Sequence, residues 1–258
     1  MEKRDKVLLL VVLIIMLITI NYPFLDDILT RFLDNSEYGL VERVIDGDTV
    51  EINGTSVRLL GINAAEKREK YSKEATSFLE RLVLNKTVKL IFGKDKTDLY
   101  GRKLSYLFIR RKNINLEIVK EGYANPYFPS GRDKYYKPFY DAWEDCENNM
   151  CERSLDVCAE CIKLIELDYK DEIVILENIC SNRCNISQWS LKDEGRKKFI
   201  FENFVLEPHK KVSIVVKESG DGNNDVLIWK RADYVWTDSG DALFLRDSDA
   251  RLVLWKSY

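Results

Sequence analysis

The hydrophobic pattern of the chain divides it into three parts. An uninterrupted apolar run covers residues 7–20. From Tyr38 onward apolar residues alternate as in strands, apart from residues 72–84, where they recur at helical spacing. After about residue 169, short strand-like runs succeed one another at the intervals typical of an antiparallel sandwich. The pattern therefore predicts an apolar N-terminal segment, a mixed region of strands and helices, and an all-β region.

The middle region contains the strongest local signals. Asn53-Gly54 lies between two alternating runs, which predicts a hairpin over residues 50–59 with a type I′ turn. Ser72 is the expected cap of the helix over residues 72–84. Further strands are predicted over residues 88–92 and 104–109, and further helices over residues 115–122 and 133–148. Five strands with interleaved helices would close into a small barrel of the oligonucleotide-binding (OB) type.

The N-terminal segment has the features of an uncleaved signal anchor over residues 7–25. The uninterrupted run alone is short and fits a signal-peptide core, but no small-x-small cleavage site comes after it. With its weaker extension it is long enough to cross a bilayer. Basic residues precede the segment and Asp26 and Asp27 come directly after it, which predicts that the rest of the chain lies outside the cell. A buried hydrophobic helix is the alternative, but nothing on this segment is polar enough to face water.

Six cysteines lie within one stretch of the chain. In an extracytoplasmic protein an even number favours disulfides, and Cys180 and Cys184 flank a predicted turn where they would pair easily. The main alternative is a structural zinc site that uses Cys158-x-x-Cys161 with one of the other two pairs. Free thiols are the third possibility. The six residues are Cys146, Cys151, Cys158, Cys161, Cys180 and Cys184.

Composition excludes several kinds of chemistry. The formal net charge of −3 means that attraction to a polyanion must be local or carried by a metal. The chain has one histidine, His209, in a predicted turn, so a histidine-based metal cluster and a two-histidine ribonuclease mechanism are both excluded.

Four charged residues in three short blocks fit the cleavage of a phosphodiester. Asp48 offers a carboxylate to a hard divalent cation. Glu66 can take the proton of an attacking water. Arg58 and Arg102 can hold the charge that grows on the phosphate oxygens. Taken singly, Arg58, Glu66 and Arg102 are each better explained as an exposed charge or a surface ion pair.

The amino-acid sequences of these three blocks resemble those of the staphylococcal nuclease, or thermonuclease-like, family. Residues 44–50, 57–66 and 97–102 match in family order and at family-like spacing. The resemblance implies an OB-type barrel over residues 38–157 and catalysis by Arg58, Glu66 and Arg102. It also implies a Ca2+ site, with other divalent cations possible, made by Asp48, Asn63 and the Ala64 carbonyl. The family has a carboxylate where this chain has Asn63, so weaker metal binding is expected.

Aromatic residues near the blocks are candidates for substrate binding. The resemblance places nucleoside stacking close to Tyr127 or Phe128, and Tyr100 neighbours the second arginine. Core packing explains Phe128 equally well. The substrate class is DNA or RNA, and the resemblance implies cleavage that leaves 3′-phosphates.

The all-β region resembles the lamin-tail domain, an immunoglobulin-like module. The matching phrases are residues 186–193, 206–208, 235–241 and 255–258, and the resemblance covers residues 170–258. It predicts a sandwich fold with its tryptophans in the core, while the partner of this domain stays unknown.

These signals together predict an α+β domain followed by an all-β domain, with an N-terminal transmembrane helix. The expected protein is a membrane-anchored nuclease whose catalytic domain lies outside the cytoplasm. Alternatives are a non-catalytic module that binds nucleic acid or protein at the cell surface, and a structural envelope protein that displays the sandwich.

Overall fold

The computed structural model describes residues 36–231 and 233–258, together with Arg4 and Val12. The predicted anchor over residues 7–25 therefore lies outside the described residues, apart from Val12. Among the residues that are described, no helix combines the length and the apolar character needed to cross a bilayer.

The first domain is a closed five-stranded barrel, as predicted. Strands β1, β2, β3, β5 and β6 form it, and a parallel pairing of β3 with β6 closes it. The predicted hairpin is confirmed, because Asn53 and Gly54 both adopt the positive φ of a type I′ turn (48° and 69°). The strands are β1 (Ser36–Asp46), β2 (Thr49–Ile52), β3 (Thr55–Leu59), β4 (Gly61–Ala64), β5 (Thr87–Thr97), β6 (Lys103–Ile109), β7 (Lys112–Asn113) and β8 (Ala124–Tyr127).

Three helices pack against this barrel, namely α1 (Ser72–Val83), α2 (Ile114–Lys120) and α3 (Tyr136–Glu144). The prediction that Ser72 caps α1 is wrong, because Tyr71 is the cap residue, in a left-handed conformation without a side-chain bond. The Asn113 side chain does cap α2, and it accepts from the Leu116 N–H at 3.2 Å. Helix α3 is shorter than the predicted 133–148.

The second domain is an immunoglobulin-like sandwich, also as predicted. Its two four-stranded sheets have the orders β16-β15-β10-β9 and β13-β12-β17-β18. The pairing of β15 with β16 is parallel, so the expectation of a purely antiparallel sandwich is wrong for this pair. The strands are β9 (Ile162–Asp168), β10 (Ile173–Asn178), β11 (Cys184–Asn185), β12 (Ser190–Lys192), β13 (Lys198–Ile200), β14 (Val205–Leu206), β15 (Lys211–Lys217), β16 (Val226–Lys230), β17 (Ala242–Arg246) and β18 (Leu252–Ser257).

The two domains share apolar packing at their junction. Phe244 of β17 and Leu252 of β18 are buried in the same hydrophobic cluster as the barrel core. The ring of Trp143 on α3 meets Phe244 edge to face, with centroids 5.5 Å apart. The second domain is thereby fixed against the barrel.

The cysteines form two disulfides, Cys146–Cys151 and Cys161–Cys180. The expected pairing of Cys180 with Cys184 is wrong, because Cys184 is a buried free thiol, as is Cys158. The zinc alternative is not supported either, because four of the six sulfurs are in disulfides. In the described part of the chain, no three or more His, Cys, Asp or Glu residues cluster as metal ligands would.

Candidate functional site

The turn between β1 and β2 places Asp48 in a buried position at the edge of the barrel. Asp46 Oδ1 accepts a hydrogen bond from the Asp48 N–H at 3.1 Å, so the first aspartate caps the turn. Gly47 is required because a Cβ there would lie 2.7 Å from the Ala64 Cβ and 2.8 Å from the Ala75 Cβ. The turn therefore packs tightly against β4 and α1.

Asp48 forms a buried ion pair with Arg58 of β3. The Asp48 carboxylate Oδ2 lies 3.0 Å from Arg58 Nη2, and the two residues are 6% and 7% exposed. The same Oδ2 accepts from the Ala64 N–H at 2.8 Å. Burial raises the pKa of Asp48, and the adjacent Arg58 charge opposes this effect.

The guanidinium of Arg58 is held from several directions. Its Nη1 donates to the carbonyls of Leu59 at 2.7 Å and Ile62 at 2.9 Å. Its Nη2 also donates to Asn63 Oδ1 at 3.3 Å. A guanidinium fixed in this way has a defined orientation before any ligand binds.

Asn63 joins the barrel to the second domain. It is fully buried on β4, and its Nδ2 donates to the carbonyl oxygens of Gly195 at 2.8 Å and Glu194 at 3.3 Å. An aspartate could not donate these bonds. The amide found where the family has a carboxylate therefore has a structural role in this chain.

Glu66 lies in the turn that comes after β4 and is partly exposed. Its side-chain Oε1 lies 2.5 Å from Nε of Arg196, which belongs to the second domain. Its backbone N–H donates to Glu69 Oε2 at 2.9 Å. Sequence reasoning missed Arg196, whose only signal was its place in the charged run 192–198.

Arg102 lies next to the strand that carries Arg58. It immediately precedes β6, whose Lys103 pairs with Val57 of β3. Its Nε donates to Asp98 Oδ2 at 2.7 Å, and its guanidinium lies 5.6 Å from the ring centroid of the exposed Tyr100. The structure therefore brings Asp48, Arg58 and Asn63 into direct contact, and it places Arg102 at the same edge of the barrel, paired with Asp98.

The two other aromatic candidates differ in their surroundings. Phe128 is 7% exposed and packs in the core, with its ring centroid 5.3 Å from Tyr136 and 5.7 Å from Phe139. Tyr127 is half-buried, and burial raises its pKa while the Arg58 charge opposes that shift. Tyr127 is therefore the one of this pair that lies close to the charged site.

The loop between β12 and β13, residues 193–197, covers one side of the site. The Glu194 carboxylate accepts from the Phe128 N–H at 3.0 Å and from the Tyr140 hydroxyl at 3.1 Å. Its carbonyl also accepts from Asn125 Nδ2 at 2.9 Å. Burial, reinforced by Asp241, raises the pKa of Glu194 to about 8, and the same two causes raise that of Asp193 to about 7. A loop that belongs to the second domain is thus built into the edge of the barrel.

The donors around Asp48 fit a hard divalent cation. They are oxygens only: the Asp48 carboxylate, which accepts from the Ala64 N–H, and the Asn63 Oδ1, which accepts from Arg58. The negative charge of Asp46 contributes to the raised pKa of Asp48, and a bound cation would relieve this repulsion. This set lacks nitrogen and sulfur ligands, which excludes a preference for zinc.

Comparisons with known proteins agree with this geometry. A model of the staphylococcal nuclease homologue family matches residues 56–149, and a model of the lamin tail domain matches residues 159–258. The thermonuclease of Staphylococcus hyicus is 32% identical over 162 residues, which cover 57% of this chain and 90% of that protein. The thermonuclease of Staphylococcus intermedius is 35% identical over 106 residues, 37% of this chain and 63% of that protein. Endonuclease YhcR of Bacillus subtilis is 31% identical over 126 residues, 40% of this chain but 10% of that protein.

The matched regions include the blocks that carry Arg58, Glu66 and Arg102, and the second match begins just before β9. The fold, the site and the relatives therefore agree: the chain belongs to the staphylococcal nuclease family, and a lamin tail domain follows its nuclease domain.

Proposed function

We propose that this protein is a membrane-anchored, extracytoplasmic nuclease that hydrolyses phosphodiester bonds of DNA or RNA with the help of a divalent cation, Ca2+. The observation that carries the proposal is the buried Asp48–Arg58 pair. Glu66 comes just after β4, which is the next strand along the chain after the one that carries Arg58. A buried ion pair of this kind usually lowers stability. Its presence is therefore better explained by a function, and binding a phosphate beside a cation is such a function.

Each residue of the site has a defined part in this reaction. Asp48, Asn63 Oδ1 and the Ala64 carbonyl would hold the cation, which when bound supplies charge neutralisation at the phosphate. Glu66 accepts the proton of the attacking water. The guanidinium groups of Arg58 and Arg102 donate to the phosphate oxygens as their charge grows.

The location outside the cytoplasm is supported by two features of the chain. The apolar segment over residues 7–25 lies between basic residues on its N-terminal side and acidic ones on its C-terminal side, which favours export of the C-terminal part. The pairs Cys146–Cys151 and Cys161–Cys180 suit an oxidising compartment.

A nuclease assay of the full chain in detergent tests the proposal. Single-stranded DNA is incubated with Ca2+ or with a chelator, and Glu66→Gln is compared with Glu74→Gln on the exposed face of α1. Glu66→Gln is expected to lose about 100-fold or more of the cleavage rate, because a glutamine cannot take a proton. Cleavage that survives chelation, or that Glu66→Gln leaves unchanged, would refute this mechanism.

A further inference from the structure

A cavity at the junction of the two domains is lined by more cationic than anionic side chains. Its volume is about 240 Å3. Five lining residues are cationic and one is a carboxylate. The barrel contributes Arg68, Glu69 and Lys70, and the lamin-tail domain contributes Lys192, Lys198 and Arg246.

Two of these cations are buried. Lys192 is 8% exposed and Arg246 is 9% exposed. The Glu69 carboxylate lies 3.7 Å from the Lys192 ammonium and 3.6 Å from the Lys198 ammonium, and both distances exceed ordinary hydrogen-bond length. The Glu69 carboxylate thus faces two cations at long range, so the cavity, with five cationic residues and one carboxylate, holds an excess of positive charge that an anion would offset.

The cavity lies next to the segment after β4 that carries Glu66. Ala65 lines it, and the Glu66 N–H donates to Glu69 Oε2. We propose that this cavity binds a phosphate group of the nucleic-acid strand next to the phosphate that is cleaved, an inference that rests on the proposed function. Phosphate is a compact oxygen anion that accepts from several cationic donors at once. The lamin-tail domain then supplies half of a substrate subsite.

Strand binding without cleavage tests this subsite. The full chain carrying Glu66→Gln is titrated with a labelled single-stranded oligothymidylate in the presence of chelator, at several salt concentrations. Adding Lys192→Met is expected to weaken binding about 10-fold and to reduce the salt dependence by the equivalent of about one phosphate contact. Lys192→Arg is expected to keep the affinity, and the exposed Lys163→Met on β9 is the matched control.

Unchanged affinity in the Lys192→Met protein, or an equal loss in the Lys163→Met protein, would overturn the subsite. Thermal melting of each variant shows whether it is folded, and Lys192→Arg separates loss of charge from loss of packing. If the binding difference appears but the native chain cuts no nucleic acid with any divalent cation, the cleavage proposal fails, and the cavity remains a phosphate-binding site of a protein that binds nucleic acid without cutting it.

A different set of contacts carries a second inference. Arg196 engages the Glu66 carboxylate, and a carboxylate bound to a guanidinium is not free to accept a proton from water. The Glu194 carboxylate anchors the loop to the barrel through the Phe128 N–H and the Tyr140 hydroxyl. The geometry points to residues 193–197 as a lid that keeps the nuclease site closed in the resting state.

The identity of residue 63 agrees with a lid. Asn63 Nδ2 donates to two carbonyls of this loop, and the carboxylate found in the family would repel both. The Arg196–Glu66 pair itself is exposed, and exposed pairs are individually weak, so a phosphate can displace it. The domains can stay together while the loop moves, because the apolar packing of Phe244 and Leu252 with the barrel core involves none of residues 193–197.

Loosening the lid should increase activity. Glu194→Ala and Arg196→Gln are each expected to raise kcat/KM for single-stranded DNA about 5-fold or more, which corresponds to a resting state that is mostly closed. The exposed Glu202→Ala just after β13 is the control. Hydrogen exchange of residues 193–197 is expected to become faster in the Glu194→Ala protein and on addition of the oligonucleotide.

Activity that stays the same or falls in both lid variants would overturn the lid, as would exchange in the loop that the oligonucleotide leaves unchanged. If the native chain and every variant are inactive, the proposed nuclease function fails instead. The two results are therefore distinguishable.

Discussion

Arg58 spans the gap between a buried carboxylate and three oxygen acceptors, and its Nη2 lies 3.0 Å from Asp48 Oδ2. This pair holds the Arg58 guanidinium at the position where the proposed phosphate binds. It also neutralises the carboxylate that the proposed cation needs, so the site is stable before either ligand arrives.

Removing the Asp48 charge should therefore affect both folding and activity. Asp48→Asn leaves the Arg58 guanidinium buried without its anion, which is expected to cost about 3 kcal/mol in the free energy of unfolding. Cleavage should fall about 100-fold or more, because the charged carboxylate ligand of the cation becomes a neutral amide oxygen. Denaturant unfolding and the nuclease assay measure the two effects, and Asp145→Asn at an exposed position is the control. A fully stable, active Asp48→Asn protein contradicts the prediction.

Restoring the family carboxylate at position 63 should lower the stability of the fold and raise the affinity for the metal. Asn63→Asp loses both hydrogen bonds to the 193–197 loop, at an expected cost of about 1–3 kcal/mol. It adds a second charged oxygen ligand beside Asp48, so the Kd for Ca2+ should fall. Calorimetric titration with Ca2+ and thermal melting test both parts, with the exposed Asn203→Asp as the matched change of charge. No gain in affinity would count against the assigned cation site.

The carboxyls at the domain junction should make stability depend on pH. Burial raises the folded-state pKa of Glu194 to about 8, of Asp193 to about 7 and of Asp241 to about 6, all above the ordinary values for these side chains. The folded state therefore binds more protons than the unfolded state between about pH 4 and pH 8, and stability is lost as the pH rises through this window.

Melting temperatures measured from pH 5 to pH 9 check this dependence. The melting temperature should decrease as the pH rises, and Glu194→Gln should flatten the decrease at its upper end. The exposed Glu202→Gln should leave the profile unchanged. A profile that rises over this range, or one that Glu194→Gln does not alter, would contradict the assignment.

The oxidation state of the cysteines can be tested directly. Peptide mapping without reduction should yield the pairs Cys146–Cys151 and Cys161–Cys180. Cys158 and Cys184 are buried, and burial raises the pKa of Cys184 to about 12, so both should react with an alkylating reagent only after unfolding. Stoichiometric zinc in the purified protein would restore the alternative that the structure does not support.

Sequence reasoning succeeded where the determinants were local. The Asn53-Gly54 turn was predictable because two residues with positive φ define it. The blocks that carry Arg58, Glu66 and Arg102 were recognisable because each is a short, continuous stretch of sequence. The barrel was predictable from the order of those blocks and of the predicted strands along the chain.

Contacts between distant parts of the chain were not predictable in the same way. Arg196 and Glu66 are separated by 130 residues, and no pattern around either indicates the other. Strand β12 was missed because three residues are too few for a strand pattern to be recognised, and its two polar residues are buried along with Leu191. A charged run usually marks a solvated face, yet Asp193 and Glu194 within it are buried at the junction.

The packing of Trp143 on Phe244 determines whether the two domains can be separated. Modules that shuffle between proteins usually meet through polar, separable surfaces. Here Phe244 and Leu252 complete the core of the neighbouring domain, so either half transplanted alone would carry an open apolar face. A substitution on one side of the junction is therefore constrained by the residues packed against it on the other side.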